Sequence, residues 1–98
     1  MNITELPIYT TIKDGEYEFI IYIEKDSRSF GETLYATEKN SDIHVECSYG
    51  FGHFEPLPPD EVKKQFISEM IFSLKRQIES GIVEEERIRV IKTSANDQ

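Results

Sequence analysis

Residues 7–24 run Pro7-Ile8-Tyr9-Thr10-Thr11-Ile12-Lys13-Asp14-Gly15-Glu16-Tyr17-Glu18-Phe19-Ile20-Ile21-Tyr22-Ile23-Glu24. Two β-rich stretches meet at Asp14-Gly15, a dipeptide suited to the positive φ of a two-residue hairpin turn. Such a turn sets a register: Lys13 opposite Glu16, Ile12 opposite Tyr17, Thr10 opposite Phe19, Tyr9 opposite Ile20 and Ile8 opposite Ile21. Alternation then assigns Ile8, Thr10, Ile12, Tyr17, Phe19, Ile21 and Ile23 to a core face. Tyr9, Thr11, Lys13, Glu16, Glu18, Ile20, Tyr22 and Glu24 fall on the opposite face.

Beyond the hairpin, a polar link over Lys25 to Gly31 leads to Glu32–Glu38, a short third strand. Asn40-Ser41-Asp42 ends it. Asp42 to Tyr49 then alternates as a fourth strand, with Ile43, Val45, Cys47 and Tyr49 on one side and Asp42, His44, Glu46 and Ser48 on the other. Consecutive antiparallel strands joined by short links pair side by side, so a meander is expected.

Gly50 to Pro59 combines glycines, aromatics and three prolines, which bar both ladder and helix, and reads as a loop. Pro59 suits the first position of a helix, and Asp60 and Glu61 complement the dipole in its first turn. The helix is expected to run to Ser80 and stop at Gly81. At helical spacing Val62, Phe66, Ile67, Met70, Ile71, Leu74 and Ile78 form the stripe that docks on the sheet. Glu84-Glu85-Glu86 could extend a second helix, but Arg87 to Lys92 alternates and is expected to form a fifth strand, and Thr93 to Gln98 is expected to fray. The expectation is a single α+β domain over residues 1–92: a four-stranded antiparallel sheet, one long helix on one face and a C-terminal strand.

The 98 residues carry 19 acidic against 11 basic side chains, net -8. Residues 1–58 hold eleven Asp and Glu against four Lys and Arg, so the acidity belongs to the N-terminal part. A field of this sign repels phosphate backbones and anionic lipids and attracts basic protein surfaces. Neither direct nucleic-acid binding nor a membrane role is expected. Cys47 is the sole cysteine, so no internal disulfide forms, and with no basic-apolar leader in the sequence the expected compartment is the cytoplasm.

The outward sheet face is the first candidate site. Tyr9, Tyr22 and Tyr35 are expected there among Glu16, Glu18, Glu24, Asp42 and Glu46, phenols giving contact area and carboxylates complementing Lys or Arg on a partner. The plainer alternative is a solvated face, or one covered by the C-terminal segment. Phe72 falls opposite the apolar stripe and is the candidate contact for a homodimer, or packs beneath the C-terminal segment. Phe51, His53 and Phe54 form either a recognition loop or a plug for the end of the core.

No metal site is expected, because His44 and Glu46 point away from Cys47 and no second cysteine or close histidine pair exists. Gly50-Phe51-Gly52 lacks the Lys-Ser/Thr of a phosphate loop, so no nucleotide cofactor is expected. No carboxylate pair has a spacing that marks acid–base work. The expected function is therefore non-catalytic binding of a basic protein, of inhibitor, immunity or anti-defence type. The alternatives are a structural homo-oligomer using Phe72 or the last strand, and a small enzyme at residues 50–55 with His53 as acid or base.

Overall fold

The Asp14-Gly15 reversal forms a hairpin, and from it the rest of the sheet is laid down strand by strand. The structure, a computed structural model, describes residues 2–26, 31–50, 59–82 and 87–89, the last three and Asp26 by their backbone alone. The expected loop with Phe51, His53 and Phe54, and the expected tail, lie outside these residues. A 3-10 turn, Ile3–Glu5, is opened by the Asn2 side chain, which accepts from the Thr4 backbone N–H. It precedes β1 (Ile8–Asp14), β2 (Tyr17–Asp26), β3 (Gly31–Glu38), β4 (His44–Gly50), α1 (Asp60–Ser80) and β5 (Arg87–Arg89).

The sheet order is β1-β2-β3-β4-β5. The first four strands form the expected antiparallel meander. β5 runs parallel to β4, a pairing that needs a long crossover; the chain between them contains α1, which meets that need.

The hairpin register differs from the expected one. Asp14 pairs with Tyr17, Lys13 with Glu18, Ile12 with Phe19 and Thr10 with Ile21. Gly15, at φ +63°, is the first residue of the turn rather than the second, so Asp14 stays in the strand and Glu16 joins the loop. Each partner moves by two residues, which preserves the pleat, and Ile12, Phe19 and Ile21 keep the core face.

A second difference reverses two side chains. The register breaks between Ile8 and Thr10, where Ile8 pairs with Tyr22 and Thr10 with Ile21. Tyr9 is the extra residue of a bulge, which offsets the alternation of everything before it. Ile8, expected in the core, is 58% exposed, and Tyr9, expected on the outer face, packs against the core on the helix side.

α1 lies on the other expectations closely. Phe66, Ile67, Met70 and Leu74 are buried, with Val62, Ile71 and Ile78 packed around them against Phe19, Ile21, Leu34, Ala36, Val45 and Cys47. Pro59 stands just before the first turn, its carbonyl accepting from the Val62 and Lys63 N–H groups. Gly81 ends the helix at φ 76°, and its N–H donates to the Gln77 carbonyl. The stripe also buries Ser73 and Gln77, which satisfy one another through a 3.2 Å hydrogen bond from Gln77 Nε2 to Ser73 Oγ.

Candidate binding face and the buried polar cluster

Alternation from the core residues Phe19, Ile21 and Ile23 sends Glu18, Ile20, Tyr22 and Glu24 to the side of β2 away from α1. The β2–β3 register places Tyr35 opposite Tyr22, and the β3–β4 register places Glu46 opposite Tyr35. Glu18, Tyr22, Glu24, Tyr35 and Glu46 therefore share one face. Tyr35 donates its phenol hydrogen to Glu24 Oε1 at 2.8 Å and meets the His44 ring edge-on at 6.0 Å. His44 Nε2 lies 3.4 Å from Glu46 Oε1. Thr33 and Ser48 share a hydroxyl hydrogen bond across the same face.

The two tyrosines are not bare. Tyr22 is 6% exposed and Tyr35 8%. Each stands directly across from the other in a central part of the sheet, with Ile8 beside Tyr22 and Glu46 and His44 beside Tyr35, so the bodies of the rings are spent on cross-strand packing. The face presents carboxylates with phenols beneath them. Glu18 lies 3.9 Å from Lys39 Nζ. The backbone register sets Arg87 opposite Glu46 and Arg89 opposite Ser48 at the β5 edge, three strands from β2.

Three expected members stand elsewhere. Glu16 is exposed in the hairpin turn, and Asp42 is exposed in the link between β3 and β4 rather than within a strand. Asp42 lines a shallow groove with Lys39, Asn40, Gln77 and Gly81. Tyr9 is on the other side of the sheet, where its hydroxyl donates to Asp60 Oδ1 at 2.8 Å and Lys63 Nζ sits 5.7 Å from its ring centre. The phenol supplies a donor to the Asp60 carboxylate at the helix start, and the bulge gives it the reach to do so.

Tyr9 belongs to a polar cluster that the sequence reading passed over. Glu32, 4% exposed, takes a 3.0 Å ion pair from Lys63 Nζ and a 2.8 Å hydrogen bond from the Tyr49 hydroxyl. Signals for it are present in the sequence. Glu32 alternates in phase with Leu34 and Ala36 and so must face the helix, and Lys63 stands at helical spacing from Ile67, Met70 and Leu74, inside the apolar stripe. A cation and an anion both assigned to the core side must meet. Burial first, then the Asp60 bond, pushes the Tyr9 phenol up to about 12. Burial and the Glu32 bond push Tyr49 up as well.

The other end of β3 carries a second buried carboxylate. Glu38 accepts from the Glu18 and Asn40 backbone N–H groups at 3.1 and 2.8 Å, which ties the β3–β4 turn to β2. Cys47 is buried in the core, and desolvation raises its thiol to about 11, so it is a poor nucleophile at neutral pH. Among the described residues no three His, Cys, Asp or Glu side chains converge as metal ligands would. No described helix is long and apolar enough to cross a membrane. On the helix's outer surface Phe72 is 69% exposed.

Comparison of the chain with models of protein families, with curated proteins and with solved structures finds no match in any of the three.

Proposed function

We propose that this chain is a small acidic binding protein that engages a basic protein partner through the sheet face opposite α1, with Glu18, Glu24, Tyr35 and Glu46 as its centre. The observation that carries the reading is that these residues share one face of a chain of net charge -8. Tyr35, held by Glu24, stiffens that carboxylate in place, so less entropy is lost when a Lys or Arg docks on it. The long-range field accelerates encounter, and the carboxylates select orientation. An inhibitor, immunity or anti-defence protein is the class of molecule with this chemistry. Tyr22 and Tyr35, almost wholly buried, offer little open ring surface, which is the change that the packing makes to the expected paratope.

The test uses basic proteins captured on the purified chain and measured again by calorimetry in isolation. Glu18→Lys with Glu46→Lys is expected to weaken binding by about a hundredfold and to flatten its dependence on salt. Unchanged affinity and unchanged salt slope overturn the proposal.

A second reading has one observation in its favour, the exposed Phe72. A homodimer through the outer surface of α1 would cover it. Light scattering at high concentration decides: a dimer that Phe72→Ala dissociates supports this reading, and a monomer removes it.

A further inference from the structure

Among the described residues, β1 is the terminal strand of the sheet and pairs on one side only. Asp14 and Tyr17 flank the two-residue turn and exchange the ladder bonds next to it. Antiparallel alternation then gives Ile12 and Thr10 the following bonds to β2 and turns the backbone N–H and C=O groups of Thr11 and Lys13 outward. Both residues are exposed. Beside this edge β1 and α1 enclose an open groove of about 630 Å³, floored by Ile12 and Ile67 and rimmed by Tyr9, Asp60, Lys64 and Ser68.

We infer that the β1 edge receives an extended segment of a basic partner protein as an added strand, paired through the Thr11 and Lys13 backbones, with alternate side chains entering the groove. An outward row of backbone donors and acceptors is complementary to another extended backbone, and the groove supplies the pocket for every second side chain that such recognition uses. The choice of a basic partner rests on the reading of the acidic face; the choice of an extended segment rests on the edge alone. A second copy of the chain is the wrong occupant. It brings another -8 to the contact. The bulge at Tyr9 bounds the regular part of the edge, which leaves Thr10–Asp14, long enough for one short guest.

The probe is a set of capped seven-residue peptides with lysine at alternate positions and Val, Ile, Leu, Phe or Tyr between them. The expected result is saturable binding with Kd below about 1 mM for the best members and at least roughly tenfold slower hydrogen exchange at the Thr11 and Lys13 amides. Methylating the backbone nitrogens on the pairing edge of the peptide is expected to abolish binding while the protein stays untouched. Thr11→Pro, tolerated on an edge strand, is expected to do the same. Binding indifferent to both changes, or no member binding, overturns the inference. The two readings fail separately. Loss on Glu18→Lys with Glu46→Lys but not on N-methylation leaves the acidic face and removes the added strand; the opposite pattern leaves the strand and removes the face.

Discussion

The two sides of this sheet are built from the same strands and treat polar groups in opposite ways. On the helix side, the charge is fully committed: Glu32 is sealed between Lys63 and the Tyr49 hydroxyl. On the outer side, Glu24, His44 and Glu46 make looser and more exposed contacts, the His44–Glu46 separation being 3.4 Å. A buried ion pair is costly to break from one side, because the survivor is left without solvent, whereas an exposed one contributes little. The exposed carboxylates of the outer side are therefore free to change without unfolding the chain, and the Glu32–Lys63 pair is not.

Substitutions that separate the two sides test this contrast most directly. Leu74→Ala, which opens a cavity among Met70, Val45 and their neighbours, is expected to cost about 2–5 kcal/mol, against within about 0.5 kcal/mol for Ile8→Ala on the wet side. Denaturant midpoints at constant m-value give both numbers. Comparable losses at the two positions would mean that the outer side is also a core.

Lys63→Met leaves Glu32 buried with only Tyr49 for company and is expected to cost about 3–5 kcal/mol. Combining it with Glu32→Leu replaces both charges with apolar groups, and the double variant is expected to return to within about 1 kcal/mol of the parent. A double-mutant cycle in urea reads the coupling. Tyr49→Phe removes one donor from the same carboxylate at an expected cost of about 1.5–3 kcal/mol, and Tyr35→Phe, whose partner Glu24 is partly exposed, about half as much.

The raised thiol and phenol sharpen the contrast by pH. A group with its pKa raised by folding is protonated more tightly in the native state, so stability is full below its ordinary value and falls as pH climbs toward the folded one. Cys47 goes from 9.0 to about 11 and Tyr9 from 10.0 to about 12. Thermal midpoints should therefore fall from about pH 9 upward. Cys47→Ala should remove the first part of that fall, and Tyr9→Phe a later part. Thiol labelling at pH 8 should likewise be slow in the native state and fast in denaturant. The smallest expected effect is at Phe72, where replacement by Ala should change monomer stability by no more than about 0.5 kcal/mol.

Most of the framework is legible from apolar periodicity. The seven-residue stripe of α1, the Gly81 stop and the alternation of β4 each follow from one repeated spacing. The lapses come where one residue changes the phase. Asp14-Gly15 announces a turn but not whether glycine stands first or second in it, and only the native φ decides. At Tyr9 nothing in the local pattern marks a bulge, because the gain that supports it, the bond to Asp60, comes from a residue 51 positions away. The candidate face suffered accordingly. Tyr22, Glu24, Tyr35 and Glu46 follow from strand parity beyond the bulge, whereas Tyr9 is the bulged residue itself and departs from it. The Glu32–Lys63 pair was readable from parity on both partners, yet charge on a core face is easily assigned to the surface by its chemistry alone.

The bulge also makes the amino-terminal arm forgiving of changes in length. Ile8 and Thr10 pair with Tyr22 and Ile21, which are adjacent in sequence, and the Ile23 N–H reaches the Pro7 carbonyl at 3.0 Å. Deleting Tyr9 would close that seam into an ordinary ladder with every one of those partners retained, at the expense of the Tyr9 contacts with Asp60, Lys63 and the core. Insertions and deletions in descendants of this chain should therefore gather at this joint, while the hairpin behind it keeps its length.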